Sequence, residues 1–139
     1  MANQYGHYIF DAELELTPSV NLDASEDFDI IDLGAGIVDG FIVVDVDSVE
    51  VATGNEIYTL ALEGSNVAAM DSGSVCLAKK VFGNLVVPMD GALSAAGRYI
   101  IPFRNEEGGT IFRYVRLSAV VAGTIDGTGM VFSAFLTKR

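Results

Sequence analysis

Hydrophobic and polar residues alternate with a period of two along much of this chain. From Tyr8 to Leu16 every second residue is apolar, and the residues between are mostly acidic. A period of two places alternate side chains on opposite faces of a β-strand, so this stretch predicts a half-buried strand. We expect the strand to end before Pro18, because proline cannot donate a hydrogen bond to a neighbouring strand.

Further runs of this kind follow at intervals of roughly 8–15 residues, with glycine at most of the breaks. Pro102 predicts that one of them lies at the edge of a sheet. The stretch 66–77 is rich in small residues and fits either a loop or a short helical turn. The last two runs predict a β-hairpin with a long tip at 123–129. The predicted strands after the first are 28–33, 41–47, 57–63, 81–87, 98–103, 112–121 and 130–136.

About eight short strands, with no helix-length pattern of period 3.6 between them, indicate an all-β fold. We expect an antiparallel β-sandwich or jelly roll with an extended N-terminal arm. The arm and the first strand occupy residues 1–20, and a single jelly-roll domain occupies residues 21–139. The length of 139 residues is typical of one domain.

The charge is strongly negative and unevenly distributed. The net charge is −11; residues 1–78 hold 15 acidic and no basic residues, whereas residues 79–139 hold 8 basic and 4 acidic ones. The simpler interpretation is that strands from the two halves interleave and the asymmetry averages out. The alternative is an acidic face and a basic face that dock complementary partners. The negative total disfavours a nucleic-acid partner, since phosphates are bound by lysine and arginine.

Residues that could carry chemistry are few. The chain has one histidine, His7, and one cysteine, Cys76, which we interpret as a small buried residue. The glycines at 34, 36 and 40 precede a predicted strand, whereas a dinucleotide-binding loop needs a helix there. We therefore expect a protein that is not an enzyme and has no cofactor. A small β-sandwich hydrolase built on two carboxylates stays open as an alternative.

Two groups of acidic residues invite comparison with cation sites. Asp45 and Asp47 alternate on one predicted strand, and Asp27, Asp29 and Asp32 lie close together upstream. Carboxylates in such patterns can bind a divalent cation. The simpler interpretation is solvated strand faces whose charges discourage unwanted edge pairing. We expect no metal site.

The arginines of the last third lie among aromatic residues. Arginine and aromatic side chains are enriched at the energetic centres of protein interfaces, and in so acidic a chain they favour a protein partner over RNA. Together with aromatic residues of the N-terminal arm, they make up our candidate interface. Its residues are Tyr5, Tyr8, Phe10, Arg98, Arg104, Arg113 and Arg116.

Three stretches of the chain, in order and spacing, resemble the jelly-roll cement (decoration) proteins of tailed-bacteriophage capsids. They are Phe-Asp-Ile-Ile-Asp-Leu-Gly at 28–34, the run at 57–66, and the two strands with their glycine turn at 113–136. The resemblance implies a protein that binds the outer surface of the head, bridges neighbouring major capsid subunits and stabilises the shell.

The same resemblance implies a homo-oligomer, a dimer or trimer, on the outer capsid surface of the virion. It implies synthesis in the cytoplasm of the host bacterium. We expect neither nucleic acid nor membrane as a partner, because the chain is strongly acidic and no apolar run reaches the roughly 18 residues of a membrane helix. The alternative function is a tail or fibre jelly-roll module that binds carbohydrate or another virion protein.

Overall fold

The computed structural model describes residues 10–84 and 93–138, which consist almost entirely of β-strands and their connections. A 3₁₀ turn at Ala12–Leu14 precedes the first strand. The strands, numbered in chain order, are β1 (Glu15–Leu22), β2 (Glu26–Asp27), β3 (Ile31–Asp32), β4 (Asp39–Val49), β5 (Ile57–Ser65), β6 (Val75–Gly83), β7 (Gly97–Arg104), β8 (Glu106–Glu107), β9 (Thr110–Ile111), β10 (Tyr114–Ala122) and β11 (Met130–Lys138). No helix in the described residues is long and apolar enough to cross a membrane.

The long strands form two sheets. Sheet A has the order β1-β11-β4-β7. Sheet B has the order β2-β10-β5-β6. The short strand β3 also pairs with β10, on the same edge as β2 but at Tyr114 and Val115. The short strands β8 and β9 make a small hairpin of their own. Pro102 lies on β7, at the edge of sheet A, as the sequence predicts.

The first half of the chain pairs with the second half in nested order. β1 pairs with β11, β2 and β3 pair with β10, β4 pairs with β7, and β5 pairs with β6, all antiparallel. The chain therefore resembles one long hairpin that folds over itself, so that its paired strands are distributed over two sheets. This topology is that of a jelly roll. The predicted all-β antiparallel sandwich is therefore confirmed.

The core lies between the two sheets. Alternate residues of each strand enter it, such as Leu117 of β10 and Phe132 of β11, which are almost completely buried. Tyr58 is also buried, and its hydroxyl donates a hydrogen bond of 2.9 Å to the carbonyl of Glu50. Burial and the nearby carboxylates of Glu50 and Glu56 raise the pKa of Tyr58 to about 12.

The first strands differ from the prediction. Within the predicted 8–16 strand, Ala12–Leu14 form a 3₁₀ turn, and β1 begins only at Glu15 and continues through Pro18. Proline is tolerated because β1 is an edge strand whose register with β11 shifts twice between Glu15 and Val20. The predicted strand at 28–33 is reduced to β3, because the chain pairs with β10 only in two short pieces.

Strand β6 begins at Val75, well before the predicted strand at 81–87, of which residues 85–87 lie outside the described residues. Its alternation is broken by a bulge: Ala78 pairs with Leu62 and Cys76 pairs with Glu63, so Leu77 is an extra residue. The extra residue shifts the pattern of inward and outward side chains, which hides the strand from a search for strict alternation.

The predicted β-hairpin of the last two strands is wrong. β10 lies in sheet B and β11 in sheet A, and both edges of each strand are occupied by other strands. The connection 123–129 therefore crosses from one sheet to the other. Glu50 holds this connection, because its carboxylate accepts hydrogen bonds from the N–H groups of Asp126 (2.6 Å), Gly127 (2.9 Å) and Gly129 (3.1 Å).

Candidate interaction surface

The outer face of sheet A is apolar at its centre. The residues of β4 that alternate with core positions point away from sheet B. One of them, Val43, lies between Ile100 of β7 and Phe135 of β11 in the strand register. In the next row Phe41 pairs with Pro102. We refer to these residues and the adjoining Phe10 as the apolar face, which comprises Phe10, Phe41, Val43, Ile100, Pro102 and Phe135.

Two residues of the apolar face are buried although they point away from the core. Val43 is 0% exposed and Phe135 is 5% exposed. The ring of Phe10 meets that of Phe135 edge to face, with 5.4 Å between centroids, and Phe10 itself stays 53% exposed. The guanidinium of Arg98 lies 5.8 Å from the Phe135 ring centroid. Sheet A therefore has a second hydrophobic cluster, and part of it is accessible.

Ion pairs border the apolar face along β4 and β7. Arg98 holds the carboxylate of Asp45 with two hydrogen bonds, of 2.7 and 2.9 Å. Arg104 binds Asp39 at 2.8 Å. Each pair is made by directly opposite residues of the two strands. Such exposed pairs contribute little to stability, but an apolar centre with a polar rim is the usual anatomy of a protein interface.

A groove continues from this face around the edge of sheet A. It occupies about 530 Å³ where β7 of sheet A faces β6 of sheet B. Pro102 and Arg104 belong both to the groove and to the outer side of β7. We call it the edge groove; its lining residues are Asp39, Cys76, Leu77, Pro102, Phe103, Arg104, Glu106 and Glu107.

The outer face of sheet B has a different chemistry. Arg116 of β10, whose side chain is 19% exposed, contacts Glu63 at 3.2 Å and Asp27 at 3.5 Å. Asp27 also accepts a hydrogen bond of 2.6 Å from the hydroxyl of Ser118. We refer to this surface as the charged face; its charged residues are Asp27, Asp32, Glu63, Arg113 and Arg116.

Asp32 and Arg113 form a further ion pair of the charged face. The guanidinium donates two hydrogen bonds, of 2.8 and 2.9 Å, to the carboxylate. Arg113 and a hydrogen bond from the N–H of Gly34 lower the pKa of Asp32 from its usual 3.8 to about 2. Arg113 also lies over the ring of Tyr114, 5.4 Å from its centroid. The aspartate is thus held in its charged form.

The candidate interface residues do not converge on one surface. Phe10, Arg98 and Arg104 lie on or beside the apolar face, whereas Arg113 and Arg116 lie on the charged face of the other sheet. Tyr5 and Tyr8 lie outside the described residues.

Five residues of the apolar face were not among the predicted interface residues. They are Phe41, Val43, Ile100, Pro102 and Phe135. The signal was present: apolar residues occupy consecutive positions at 41–44, 100–101 and 135–136. Consecutive apolar residues in a strand place hydrophobic groups on both of its faces.

The ion pairs explain the uneven charge of the chain. Arg98, Arg104, Arg113 and Arg116 come from the second half, and each of them binds a carboxylate from the first half. The nested pairing of the two halves brings these residues together. The structure therefore agrees with the interleaved interpretation rather than with separate acidic and basic faces.

The groups considered for chemistry have structural contacts. Asp45, Asp32 and Asp27, which resembled cation ligands, bind arginines instead, and the described residues contain no group of three or more side chains suited to a metal. Cys76 is exposed, contrary to the expectation that it is buried, because it points outward from β6 opposite Glu63.

Glu56 is the one completely buried carboxylate of the described residues. It accepts hydrogen bonds from the N–H groups of Thr53, Gly54 and Asn55, at 2.9, 2.9 and 3.1 Å. Burial by itself would raise the pKa of Glu56, but these hydrogen bonds stabilise the carboxylate and lower its pKa below the usual value. These contacts hold the β4–β5 turn, so we assign Glu56 a structural role.

Comparison with known proteins gives a fold-level similarity alone. No family model matches the chain, and no curated protein is similar enough to count as a relative. Among solved structures, one similar chain is the Clostridium thermocellum N-terminal endo-1,4-β-D-xylanase 10B, its CBM22-1 and GH10 modules complexed with xylohexaose. The identity is 11% and the TM-score 0.40, over 96% of this chain. This chain spans 27% of the length of that structure.

Proposed function

We propose that this protein is a jelly-roll decoration protein of a tailed-phage capsid. In this proposal it attaches to major capsid subunits through the apolar face, bridges neighbouring subunits and stabilises the shell from the outside of the virion. The observation that carries a binding function is the apolar face itself, with Phe10 more than half exposed and Val43 and Phe135 in a second hydrophobic cluster.

The fold alone does not require the apolar face. A sheet in a two-layer sandwich needs one hydrophobic side, which faces the other sheet, and its second side is ordinarily polar. Sheet A has hydrophobic residues on both sides. Apolar groups grouped on an outer surface and rimmed by charged pairs are characteristic of surfaces that bind another protein.

The capsid as partner is supported by the resemblance of three stretches of the chain to cement proteins. A cement protein acts through repetition, because many weak identical contacts over a shell sum to a large resistance. An apolar face of moderate size suits this mode of binding. We further propose that the protein acts as a dimer or trimer, so that one oligomer contacts several capsid subunits.

A binding assay with undecorated, expanded capsids tests the proposal. We expect the wild-type protein to cosediment with capsids and Ile100→Glu to bind at least tenfold more weakly, because a charge at the centre of an interface must be desolvated. Val120→Glu is the matched control, since Val120 is 57% exposed on the outer face of sheet B. Circular dichroism establishes that both variants are folded.

Three results of this assay would contradict the proposal. They are wild-type protein that does not bind capsids, Ile100→Glu that binds as well as wild type, and equal losses in the two variants. Retention on a glycan array, without capsid binding, would favour the carbohydrate-binding alternative.

The predicted contacts of Arg113 and Arg116 require a separate variant, because they lie on the charged face. The double variant Asp32→Arg with Arg113→Asp preserves the ion pair but exchanges the positions of its positive and negative charges. If the apolar face is the attachment surface, this double variant binds capsids within twofold of wild type. A loss of tenfold or more would show that the charged face meets the capsid.

A further inference from the structure

The edge groove exists because β6 and β7 end two different sheets. Within residues 10–84 and 93–138, β7 pairs with β4 alone. β6 pairs with β5 and bridges to Leu93 at Phe82, but it is not hydrogen-bonded to β7. The sheets therefore part at this side of the sandwich. The resulting depression of about 530 Å³ is broadly open to solvent.

Leu77, Phe103 and Pro102 give the groove an apolar part. Phe103 is 6% exposed, and Leu77, the extra residue of the β6 bulge, is half-buried beside it. Leu77 lies against Gly64 so closely that a Cβ added to the glycine would be 2.7 Å from Leu77 Cδ1. Gly64 thus permits the position of Leu77. Pro102 adds a third apolar wall.

The rim of the groove has more carboxylates than cations. Arg104 is shared between Asp39 at 2.8 Å and Glu106 at 3.7 Å. Glu106 is fixed in place by a hydrogen bond of 2.8 Å from the N–H of Gly109. Glu107 is exposed and has no ion pair among residues 10–84 and 93–138. The rim therefore has an unbalanced negative charge beside the apolar part.

The groove is poorly suited to an added β-strand. Pro102 removes one hydrogen-bond donor from β7, and the edge of β6 has Lys79 and Lys80, which discourage strand pairing. A long side chain suits the groove better. Arginine has an aliphatic stem that packs on apolar surface and a guanidinium that binds carboxylates with two parallel hydrogen bonds.

We propose that the edge groove binds an arginine side chain of a protein partner. Its stem packs on Leu77, Phe103 and Pro102, and its guanidinium binds Glu107 with support from Glu106. The groove adjoins the apolar face at Pro102, so one partner can occupy both. The identification of that partner as the capsid rests on the proposed function. The arginine-binding chemistry of the groove is argued independently of it.

A peptide titration of the free protein tests the proposal. The probe is acetyl-Gly-Leu-Arg-Leu-Gly-amide, and the matched peptide has citrulline, which has nearly the same shape without the charge. We follow binding by ¹H–¹⁵N NMR. We expect signals of Leu77, Phe103 and Glu107 to shift with the arginine peptide, and the citrulline peptide to bind at least about threefold more weakly, as loss of an exposed charge pair predicts.

Two variants with the same change of charge complete the test. Glu107→Gln should weaken binding of the arginine peptide about threefold. Asp126→Asn, at an exposed position at the opposite end of the sandwich, should leave binding unchanged. Equal binding of the two peptides, equal effects of the two variants, or signals that shift only outside the groove would each overturn the proposal.

The titration contains no capsid, so its outcome is separate from that of the proposed function. Peptide binding without capsid binding would support the arginine-binding groove and contradict the proposed capsid partner. Capsid binding that depends on Ile100, without peptide binding, would support the capsid partner and contradict the arginine-binding groove.

Discussion

The two outer faces of the sandwich follow the same strand geometry but differ in chemistry. On sheet A the outward residues at the centre are Val43, Ile100 and Phe135, and the ion pairs lie at the border. On sheet B the ion pairs lie on the face itself, where Arg116 contacts Glu63. Both sheets contribute inner residues to the core, and the hydrophobic residues on the outer side of sheet A are additional to it.

Within the apolar face, Val43 and Phe135 are buried and stabilise the fold, whereas Phe10 and Pro102 are exposed and can contact a partner. A charged outer face keeps a sheet soluble and discourages association. An apolar outer face favours association and persists where a partner covers it. The comparison therefore supports the proposed attachment surface on sheet A, and the variants described next test it.

The largest expected effect is on the stability of the apolar face. Phe135→Ala should lower the free energy of unfolding by about 3 kcal/mol, because a nearly buried ring is lost together with its contacts to Phe10 and Arg98. Val120→Ala on sheet B should change it by about 0.5 kcal/mol or less. Urea unfolding measures both. Similar costs would mean that the second hydrophobic cluster of sheet A does not exist.

A smaller effect is expected from the arginines. Arg116→Met should destabilise the protein by about 1 kcal/mol, since Glu63 and Asp27 lose a partly buried partner. Arg98→Met, at an exposed pair, should change stability by less than about 0.5 kcal/mol. The same unfolding assay compares them, and a larger loss for Arg98 would show that the border of the apolar face is more than a polar rim.

The smallest effect is the acid response of the charged face. Asp32 has a folded-state pKa of about 2 against a usual 3.8. Because the pKa of Asp32 is lower in the folded than in the unfolded protein, the charged carboxylate stabilises the fold when the pH is above the unfolded-state pKa. This contribution is lost as the pH falls from about 4 to about 2. Carbon-detected NMR should give a midpoint near pH 2 for Asp32, and Asp32→Asn should lose less stability over this range than wild type. A midpoint near 4 would contradict the ion pair with Arg113.

Much of the fold could be predicted because the alternation is regular where strands are long. β4, β5, β7, β10 and β11 lie close to their predicted positions. The pairing of strands could not be predicted in the same way. Alternation states which residues face inward, but not which sheet receives a strand, so β10 and β11 were wrongly placed in one hairpin.

The candidate site was predicted only in part. Arginine and aromatic composition identified Phe10, Arg98 and Arg104, which lie on or beside the apolar face. It also selected Arg113, whose position on the opposite sheet depends on the long-range pairing of β10. Composition cannot distinguish an arginine bound to a carboxylate of its own chain from one free to meet a partner, and Arg98 binds Asp45.

The distribution of ion pairs has a consequence for the newly made chain. On the ribosome the first 78 residues emerge with 15 carboxylates and no lysine or arginine. Their mutual repulsion opposes early collapse. Strands β1 to β4 meet their partners only after β7, β10 or β11 has been synthesised, whereas β5 can pair earlier with β6. We expect this protein to stay open during synthesis and to close into its sandwich late, when the arginines of the second half arrive.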